Sequence, residues 1–187
     1  VVLTTGRAID ARGPNNLSNV GTNHATTSSD PDLVGINSLA TRDVCKIEFD
    51  IIPTCDTLSI QYVFGSDEYI EFIDSNYNDV FGFFISGPNP LGGTYNGKNI
   101  ALIPNTNIPI AIHTVSNVNN SSYFVNNVTN CPYTTTFPFL NPAVCNDASR
   151  IQYDGFTIPL IASAYVVPCS TYHMKLAIAD ASDNWVD

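Results

Sequence analysis

The alternation of apolar and polar residues between positions 44 and 64 is the feature that most constrains the fold of this chain. Residues 44–52 alternate, a Pro-Thr-Cys-Asp turn follows at 53–56, and residues 57–64 alternate again. A period of two places successive side chains on opposite faces of a strand, so this stretch predicts a β-hairpin. Further strand candidates, each bounded by Gly, Pro, Asn or Asp, are residues 80–86, 99–103, 108–115, 156–167 and 171–179.

The helical signal is weak throughout the chain. No segment keeps a helical apolar period for more than two turns, and at most one helical turn is expected, around residues 34–40. The sequence therefore predicts an all-β fold, an antiparallel β-sandwich that is jelly-roll-like, with long ordered loops and very little helix. A length of 187 residues fits a single domain, residues 1–187, with ordered loop at 12–42 and an Asn-rich loop excursion at about 116–150.

The net charge excludes some classes of partner. Seventeen acidic residues against seven basic ones give a formal net charge of −10. A surface of that sign repels phosphate backbones and anionic lipids, so we expect no nucleic-acid partner. The sequence has no run of 18 apolar residues, so we also expect no membrane insertion.

The five cysteines indicate an oxidising, extracellular compartment. They form no CxxC pair and no Cys/His zinc spacing, which favours disulfides over a metal site. We expect a Cys131–Cys145 bond, which would close a short loop that lacks its own core, and a Cys55–Cys169 bond. Cys45 is the candidate for the odd cysteine, because it lies on the apolar face of an alternating strand, where a buried thiol behaves as a small hydrophobe.

Acidic residues gather in three patches, and they predict a calcium site. Calcium takes six to eight oxygen ligands from carboxylates, Asn side chains and loop carbonyls, and these patches are rich in all three. For the patch at 30–32 the alternative, that acids merely solvate a loop, is about equally favoured. The predicted ligands are Asp67, Glu68 and Asp79 in the first patch, Asp180, Asp183 and Asp187 in the second, and Asp30 and Asp32 in the third.

A spacing argument supports convergence of the first two patches. Asp67 lies 12 residues after Cys55, and Asp180 lies 11 residues after Cys169, with a strand candidate between each cysteine and its acid. Strands rise about 3.3 Å per residue, so two strands that start at one edge and run the same way bring their acidic ends together. Like charges brought that close need a cation between them.

Catalytic signatures are weak. The chain has no GxSxG, no HExxH and no glycine-rich phosphate loop, and its three histidines are scattered. Paired carboxylates could serve a glycosidase, but Asp67 and Glu68 point to opposite sides of an extended chain. We therefore expect that the protein is not an enzyme.

Three long segments carry a family resemblance: residues 62–69 (YVFGSDEY), 77–88 (YNDVFGFFISGP) and 172–183 (YHMKLAIADASD). Together they resemble the choice-of-anchor L domain of large Bacteroidota surface proteins. Residues 99–104, 153–157, 13–15 and 30–33 also fit, so the resemblance covers nearly the whole chain. It implies a secreted protein, often exported by the type IX route, placed at the cell surface in adhesive or gliding-related proteins.

The resemblance leaves the ligand open. The first expectation is a calcium-stabilised adhesin domain that could form part of a fibre, and its partners are expected to be other protein subunits or cell-surface glycans. The alternatives are a carbohydrate-binding module of a secreted hydrolase, or the hydrolase itself. The carbohydrate-binding alternative would need an exposed row of aromatic residues, for which the candidates are Tyr69, Phe72, Tyr77, Tyr123 and Phe124.

The end of the chain raises one more expectation. Members of the resembling family usually continue past the last acidic turn into an apolar strand, whereas this sequence stops at Asp187. A sandwich that lacks a strand exposes backbone groups, and strand addition from another chain beside residues 171–179 could cover them. Truncation of the chain is an equally favoured alternative.

Overall fold

A computed structural model describes residues 1–15, 20–23, 26–70, 72–73, 75–127, 151–182 and 185–186. Within these ranges, one helix, α1, spans Pro31–Ile36, and one 3-10 turn spans Ser121–Tyr123. The strands are β1 Thr22–Asn23, β2 Arg42–Ile51, β3 Thr57–Tyr62, β4 Gly65–Ser66, β5 Val80–Pro88, β6 Thr94–Asn99, β7 Phe124–Asn126, β8 Gly155–Thr157, β9 Leu160–Tyr165, β10 Tyr172–Asp180 and β11 Trp185–Val186. The all-β prediction is confirmed.

The main sheet has the order β2-β10-β5-β6, and every pairing in it is antiparallel. One face of this sheet carries the core. Met174 of β10 lies between Phe49 of β2 and Ile85 of β5, and the next inward residue, Leu176, lies between Ile47 and Phe83. Side chains on β5 and β10 are long and apolar at these positions because they face a second layer of strands rather than water.

The second layer contains β3 paired with β9, and β4, β8 and β7 paired in that order. The two ladders follow one another along the chain, since Phe64 and Thr157 exchange hydrogen bonds at the point where one ends and the other begins. Leu160 and Ala162 of β9 are buried against the main sheet. The core therefore lies between the two layers, as a sandwich requires.

The opposite face of the main sheet is covered at one end by α1 and its flanking loop. Leu33 packs there against Val80, Phe84 and Ala177. The helix begins where the Asp30 side chain accepts a hydrogen bond from the Asp32 amide, with Pro31 in the first turn. The observed helix thus begins and ends about one turn earlier than the predicted one.

The predicted hairpin is wrong. Strands β2 and β3 both form, but β2 pairs with β10 in the main sheet and β3 pairs with β9 in the second layer. The turn between β2 and β3 carries the chain from the main sheet to the second layer, and the turn between β9 and β10 carries it back. These two crossings lie side by side, because Cys169 N–H donates to Pro53 O at 2.8 Å and Val166 N–H donates to Asp56 O at 2.8 Å. An alternating pattern identifies a strand with one buried face, but it does not specify which strand pairs with it.

Several other boundaries differ from the prediction. The expected strand at 156–167 is two strands interrupted at Ile158 and Pro159, and Pro159 has no N–H to donate to a ladder. Stretches 99–103 and 108–115 form turns with isolated bridges such as Leu102 to Pro109 rather than strands. Strand β6 was not predicted, because its residues show no apolar alternation.

Strand addition beside residues 171–179 is not possible, since β10 is paired with β2 on one side and β5 on the other. Most of the predicted excursion, residues 128–150, lies outside the described residues. Among the described residues, no helix is long and apolar enough to cross a membrane.

Candidate metal centre

Three predicted calcium ligands meet at one end of the sandwich. Glu68, Asp79 and Asp180 each offer a carboxylate oxygen within 4.8 Å of the others. We call these three residues the acidic cluster. Asp79 and Asp180 are buried, and Glu68 is half-buried.

Each member of the acidic cluster stands at the end of a strand. Asp180 is the last residue of β10, and Asp79 directly precedes β5, which runs antiparallel to β10. Glu68 follows β4 and is held in a turn, because its N–H donates to Ser66 Oγ at 3.0 Å. The spacing argument from the sequence is therefore correct for Glu68 and Asp180, which arrive from different layers.

The surrounding backbone fixes the Asp79 carboxylate. Its Oδ1 accepts a hydrogen bond of 3.0 Å from the N–H of Ala181, in the turn that follows Asp180. Its carbonyl accepts from Ile112 N–H at 3.4 Å. Asp79 and Asp180 are thus held side by side by the main chain, and their separation is set by the fold rather than by free side-chain motion.

The electrostatic cost of this arrangement is substantial if all three groups are ionised. Two unit charges about 5 Å apart repel by roughly 3 kcal/mol at an effective dielectric of about 20. Burial adds a desolvation penalty for each charge. A divalent cation bound among the three carboxylates would offset both terms, and an all-oxygen donor set of this kind suits calcium.

The remaining predicted ligands of these two patches behave differently. Asp67 is buried but its Oδ2 accepts from Val20 N–H, so this carboxylate ties the N-terminal segment to the same end of the fold. Asp67 is not part of the acidic cluster, although its neighbour Glu68 is. This agrees with the expectation that adjacent side chains of an extended segment point to opposite sides. Asp183 and Asp187 lie outside the described residues.

Asp30 and Asp32 are partnered by lysine. Lys175 Nζ lies 2.6 Å from Asp30 Oδ1 and 2.6 Å from Asp32 Oδ2, and Lys46 Nζ lies 3.6 Å from Asp30 Oδ2. Asp30 and Lys175 are both buried. The structure thus places these two carboxylates in an ion-pair network on the outer face of the main sheet and not with the acidic cluster.

The network shifts the pKa values of its two buried members. Burial alone would raise the pKa of Asp30, but the hydrogen bonds from Lys175 and the Asp32 amide, with the nearby lysine charges, hold that pKa below its ordinary value. Burial alone would lower the pKa of Lys175, but its hydrogen bonds to Asp30 and Asp32 raise it. Both groups are thereby kept in their charged forms.

Two signals in the sequence could have found this network. Asp30 followed by Pro31 is the pattern of a helix N-cap with proline in the first turn. Lys175 occupies a position in β10 on the face opposite the core-facing Met174, and a lysine in the middle of an apolar strand needs a carboxylate partner. An open cleft lies beside the network, lined by Asp32, Glu48, Phe84, Ser86, Gly97, His173 and Lys175.

The cysteines that the structure describes are free thiols. Cys55 and Cys169 are exposed and lie in the two adjacent crossings that hydrogen-bond to each other. Their pairing stays a prediction. Cys45 is half-buried in β2 rather than fully buried, because β2 is an edge strand. Cys131 and Cys145 lie outside the described residues.

The aromatic residues proposed as a glycan platform form no exposed row. Tyr69 is fully buried, donates to Val115 O at 2.7 Å and packs on Phe124 with ring centroids 4.9 Å apart. Phe72 and Tyr77 pack edge-on against each other at 5.4 Å. Tyr123 is half-buried and borders the core. These side chains stabilise the fold.

Comparison with known proteins adds one finding. The family model of the Choice-of-anchor L domain matches residues 1–187, the whole chain. No curated protein and no solved structure matches the chain.

Proposed function

We propose a function from the premise that the chain belongs to the choice-of-anchor L domain family, a family of domains from cell-surface or secreted proteins. The domain is a calcium-stabilised extracellular module that mediates contacts with the cell surface or matrix. It acts by binding and not by catalysis. Its partners are other protein subunits, as in a fibre, or cell-surface glycans.

The acidic cluster carries the calcium part of the proposal. Its three carboxylates come from the ends of β4 and β10 and the start of β5, so one ion would join the main sheet to the second layer. The donors are all oxygens, whereas zinc sites in proteins draw mainly on Cys and His. Magnesium keeps most of its water and demands a strict octahedron, which a buried carboxylate triad meets less readily than calcium.

Exposed neutral surface supports the contact role. The outer face of β3 and β9 presents Ser59, Gln61 and Ser163 beside Ile161 and Tyr165, and these last two are 57% and 63% exposed. A sheet face with hydroxyl, amide and apolar groups, and without charges, suits contact with a protein surface or a glycan despite a net charge of −10.

A calcium titration of the purified domain tests this function. We expect calcium to raise the melting temperature and excess chelator to lower it, since a ligand at 100 times its Kd stabilises the folded state by about 2.7 kcal/mol. Bound calcium should also appear in metal analysis of protein dialysed against a calcium buffer. An identical melting curve in calcium and in chelator would refute the proposal.

Glu68→Gln sharpens this test, because the substitution acts in opposite directions in the two conditions. In chelator it removes one of three repelling charges and should stabilise the domain. In calcium it removes a ligand and should reduce the calcium-dependent rise. Asp56→Asn replaces an exposed acid that precedes β3, away from the acidic cluster; it is the matched control and should leave both melting temperatures unchanged.

A glycan array, read with and without chelator, distinguishes the carbohydrate-binding alternative from the adhesin role. Tyr165 is the exposed aromatic on the β9 face, and Tyr165→Ala should abolish glycan binding if that alternative holds.

A further inference from the structure

Part of the inner face of the main sheet is uncovered at β2. Ile47 and Phe49 lie directly opposite Leu176 and Met174, so their side chains point to the core side of the sheet. They are nevertheless 41% and 36% exposed, whereas Met174 is fully buried. No strand among the described residues therefore lies over this part of β2. Two large apolar side chains are exposed to solvent on the core-facing side of the sheet.

The second layer stops short of β2. Strand β3 pairs with β9 on one side and with no described strand on the other. Tyr95 of β6 donates to the carbonyl of Tyr165 in β9 at 3.1 Å, which places β9 under the β6 side of the main sheet. Strand β3 is consequently the member of the pair nearer to β2, and its unpaired edge runs beside the uncovered side chains.

The overhang of β2 and the open edge of β3 together form a slot. Its roof is the inner face of β2 with Ile47 and Phe49, and its side wall is the backbone of residues 57–62, whose inward side chains Leu58 and Ile60 border the core. Neighbouring strands lie about 4.8 Å apart and stacked sheets about 10 Å apart. One extended segment paired with the free edge of β3 would therefore lie beneath β2, against Ile47 and Phe49.

We propose that this slot binds one extended strand donated by another polypeptide. The strand pairs with the free edge of β3 and places alternate apolar side chains against Ile47 and Phe49. Backbone hydrogen bonds supply affinity, and the apolar positions supply selectivity, as in other cases of strand addition. The proposal does not depend on calcium.

The shape and charge of the slot define the occupant. A second copy pairing edge to edge would bring its own overhanging β2 into the space that the first β2 occupies, so a whole sandwich does not fit, whereas a single strand does. One acidic residue stands beside the slot, since Asp56 directly precedes β3 and is exposed. The occupant is therefore an alternating apolar strand with a basic residue at the end that lies next to Asp56.

Hydrogen exchange with a defined peptide tests the proposal. The probe is a nine-residue peptide with lysine at each end and valine alternating with threonine between them, and its control is a scrambled peptide of the same composition. At about 1 mM peptide, enough to reveal a weak site, we expect the backbone amides of residues 57–62 that are open to solvent to exchange at least about tenfold more slowly with the alternating peptide than with the scrambled one.

Matched variants then locate the binding. Phe49→Lys places a charge in the roof and should weaken peptide binding at least tenfold, as loss of a central apolar anchor does. Ile161→Lys adds the same charge at the exposed outer face of β9 and should leave binding unchanged. If Phe49→Lys fails to fold, as judged by circular dichroism, Ile47→Lys replaces it.

Three results would overturn the proposal. The first is unchanged exchange at residues 57–62 with the alternating peptide, or equal slowing with both peptides. The second is equal peptide affinity for the native domain and the roof variant. The third is a concentration-dependent dimer in sedimentation velocity that the roof variant abolishes, which would assign the slot to a second copy of this chain.

Discussion

Lys175 shows how one residue can decide the stability of a whole face of the sheet. Its ammonium group is buried among Asp30 and Asp32, and it lies 5.0 Å from the centre of the Phe84 ring. The buried carboxylate of Asp30 also caps α1. Removing the lysine would therefore leave a buried negative charge without its main partner, at the base of the only α-helix that the described residues contain.

The substitution Lys175→Met tests that dependence. We expect it to lower the free energy of unfolding by about 3–5 kcal/mol, because breaking a buried ion pair leaves an uncompensated charge. Lys46→Met is the control: its side chain is 45% exposed and 3.6 Å from Asp30, so its loss should cost about 0–1 kcal/mol. Equal effects of the two substitutions in urea unfolding would contradict this account.

The same network makes stability depend on acid pH. The folded pKa of Asp30 lies below its ordinary value of 3.8, so its stabilising contribution is complete above that value and is lost as pH falls through the folded pKa. Asp30→Asn keeps a side chain that can cap the helix but does not titrate. We expect the difference in unfolding free energy between native protein and this variant to be largest above pH ~4 and to shrink towards pH ~2. If the difference in unfolding free energy did not change with pH, the ionised Asp30 carboxylate would not be the stabilising group.

Two glycines make a further residue-scale comparison. A Cβ built on Gly155 would lie 2.5 Å from the Phe124 ring, between β4 and β7, whereas a Cβ on Gly35 in α1 would meet no atom within 4 Å. Gly155→Ala should destabilise the domain by about 1–3 kcal/mol through overpacking. Gly35→Ala should stabilise it by about 0.5–1 kcal/mol, since glycine is costly within a helix. Thermal unfolding of the two variants in parallel measures both effects.

At the scale of secondary-structure elements, the sequence predicted the strands better than their neighbours. Strands β2, β3, β5 and β10 were predicted to within two residues at each end, because each alternates or is continuously apolar between clear breakers. The pairing of β2 with β10 joins segments more than 100 residues apart, and no local pattern encodes such a partner. The hairpin prediction failed for that reason.

The acidic cluster was partly predictable because strand rise is nearly constant. The nearly equal spacings, 12 residues from Cys55 to Asp67 and 11 from Cys169 to Asp180, predicted that the two acidic ends meet, and Glu68 and Asp180 do. The lysine partner of Asp30 was not predictable in the same way. Residues 30 and 175 meet across 145 positions through a helix cap and a sheet face that only the assembled fold defines.

The two crossings between layers lead to a prediction about the cysteines. Cys55 and Cys169 lie on crossings joined by the Cys169 N–H to Pro53 O hydrogen bond. In oxidised protein we expect them to form a disulfide, which typically stabilises by about 2–4 kcal/mol. Peptide mapping of non-reduced protein should recover the linked pair, and Cys45→Ser should leave it intact. Recovery of both as free thiols, or a Cα separation beyond about 7 Å in a crystal structure, would contradict the bond.

At the scale of the whole molecule, two kinds of charge repulsion act on the fold. The net charge of −10 is spread over the surface and is screened by salt, whereas the acidic cluster is largely buried and is not. The two effects can therefore be separated by ionic strength.

We expect sodium chloride between about 0.01 and 0.5 M to raise the melting temperature modestly, as the Debye length falls from about 30 Å to only a few Å. The additional rise caused by millimolar calcium should persist at the high salt concentration. If 0.5 M sodium chloride removed the calcium effect, calcium would be acting on the diffuse surface charge and not at a specific site.

The register of β11 has a mechanical consequence for a surface domain. Thr22 pairs with Val186 and Asn23 pairs with Trp185 in the backbone register, so a pull on the chain at the Val186 end opens this short ladder one pair at a time, which needs little force. The same pull then reaches Asp180 and acts lengthwise on β10, which is held between β2 and β5. Sliding that strand breaks two ladders together. Under tension the domain should therefore yield in two stages, a compliant extension followed by a stiff stop.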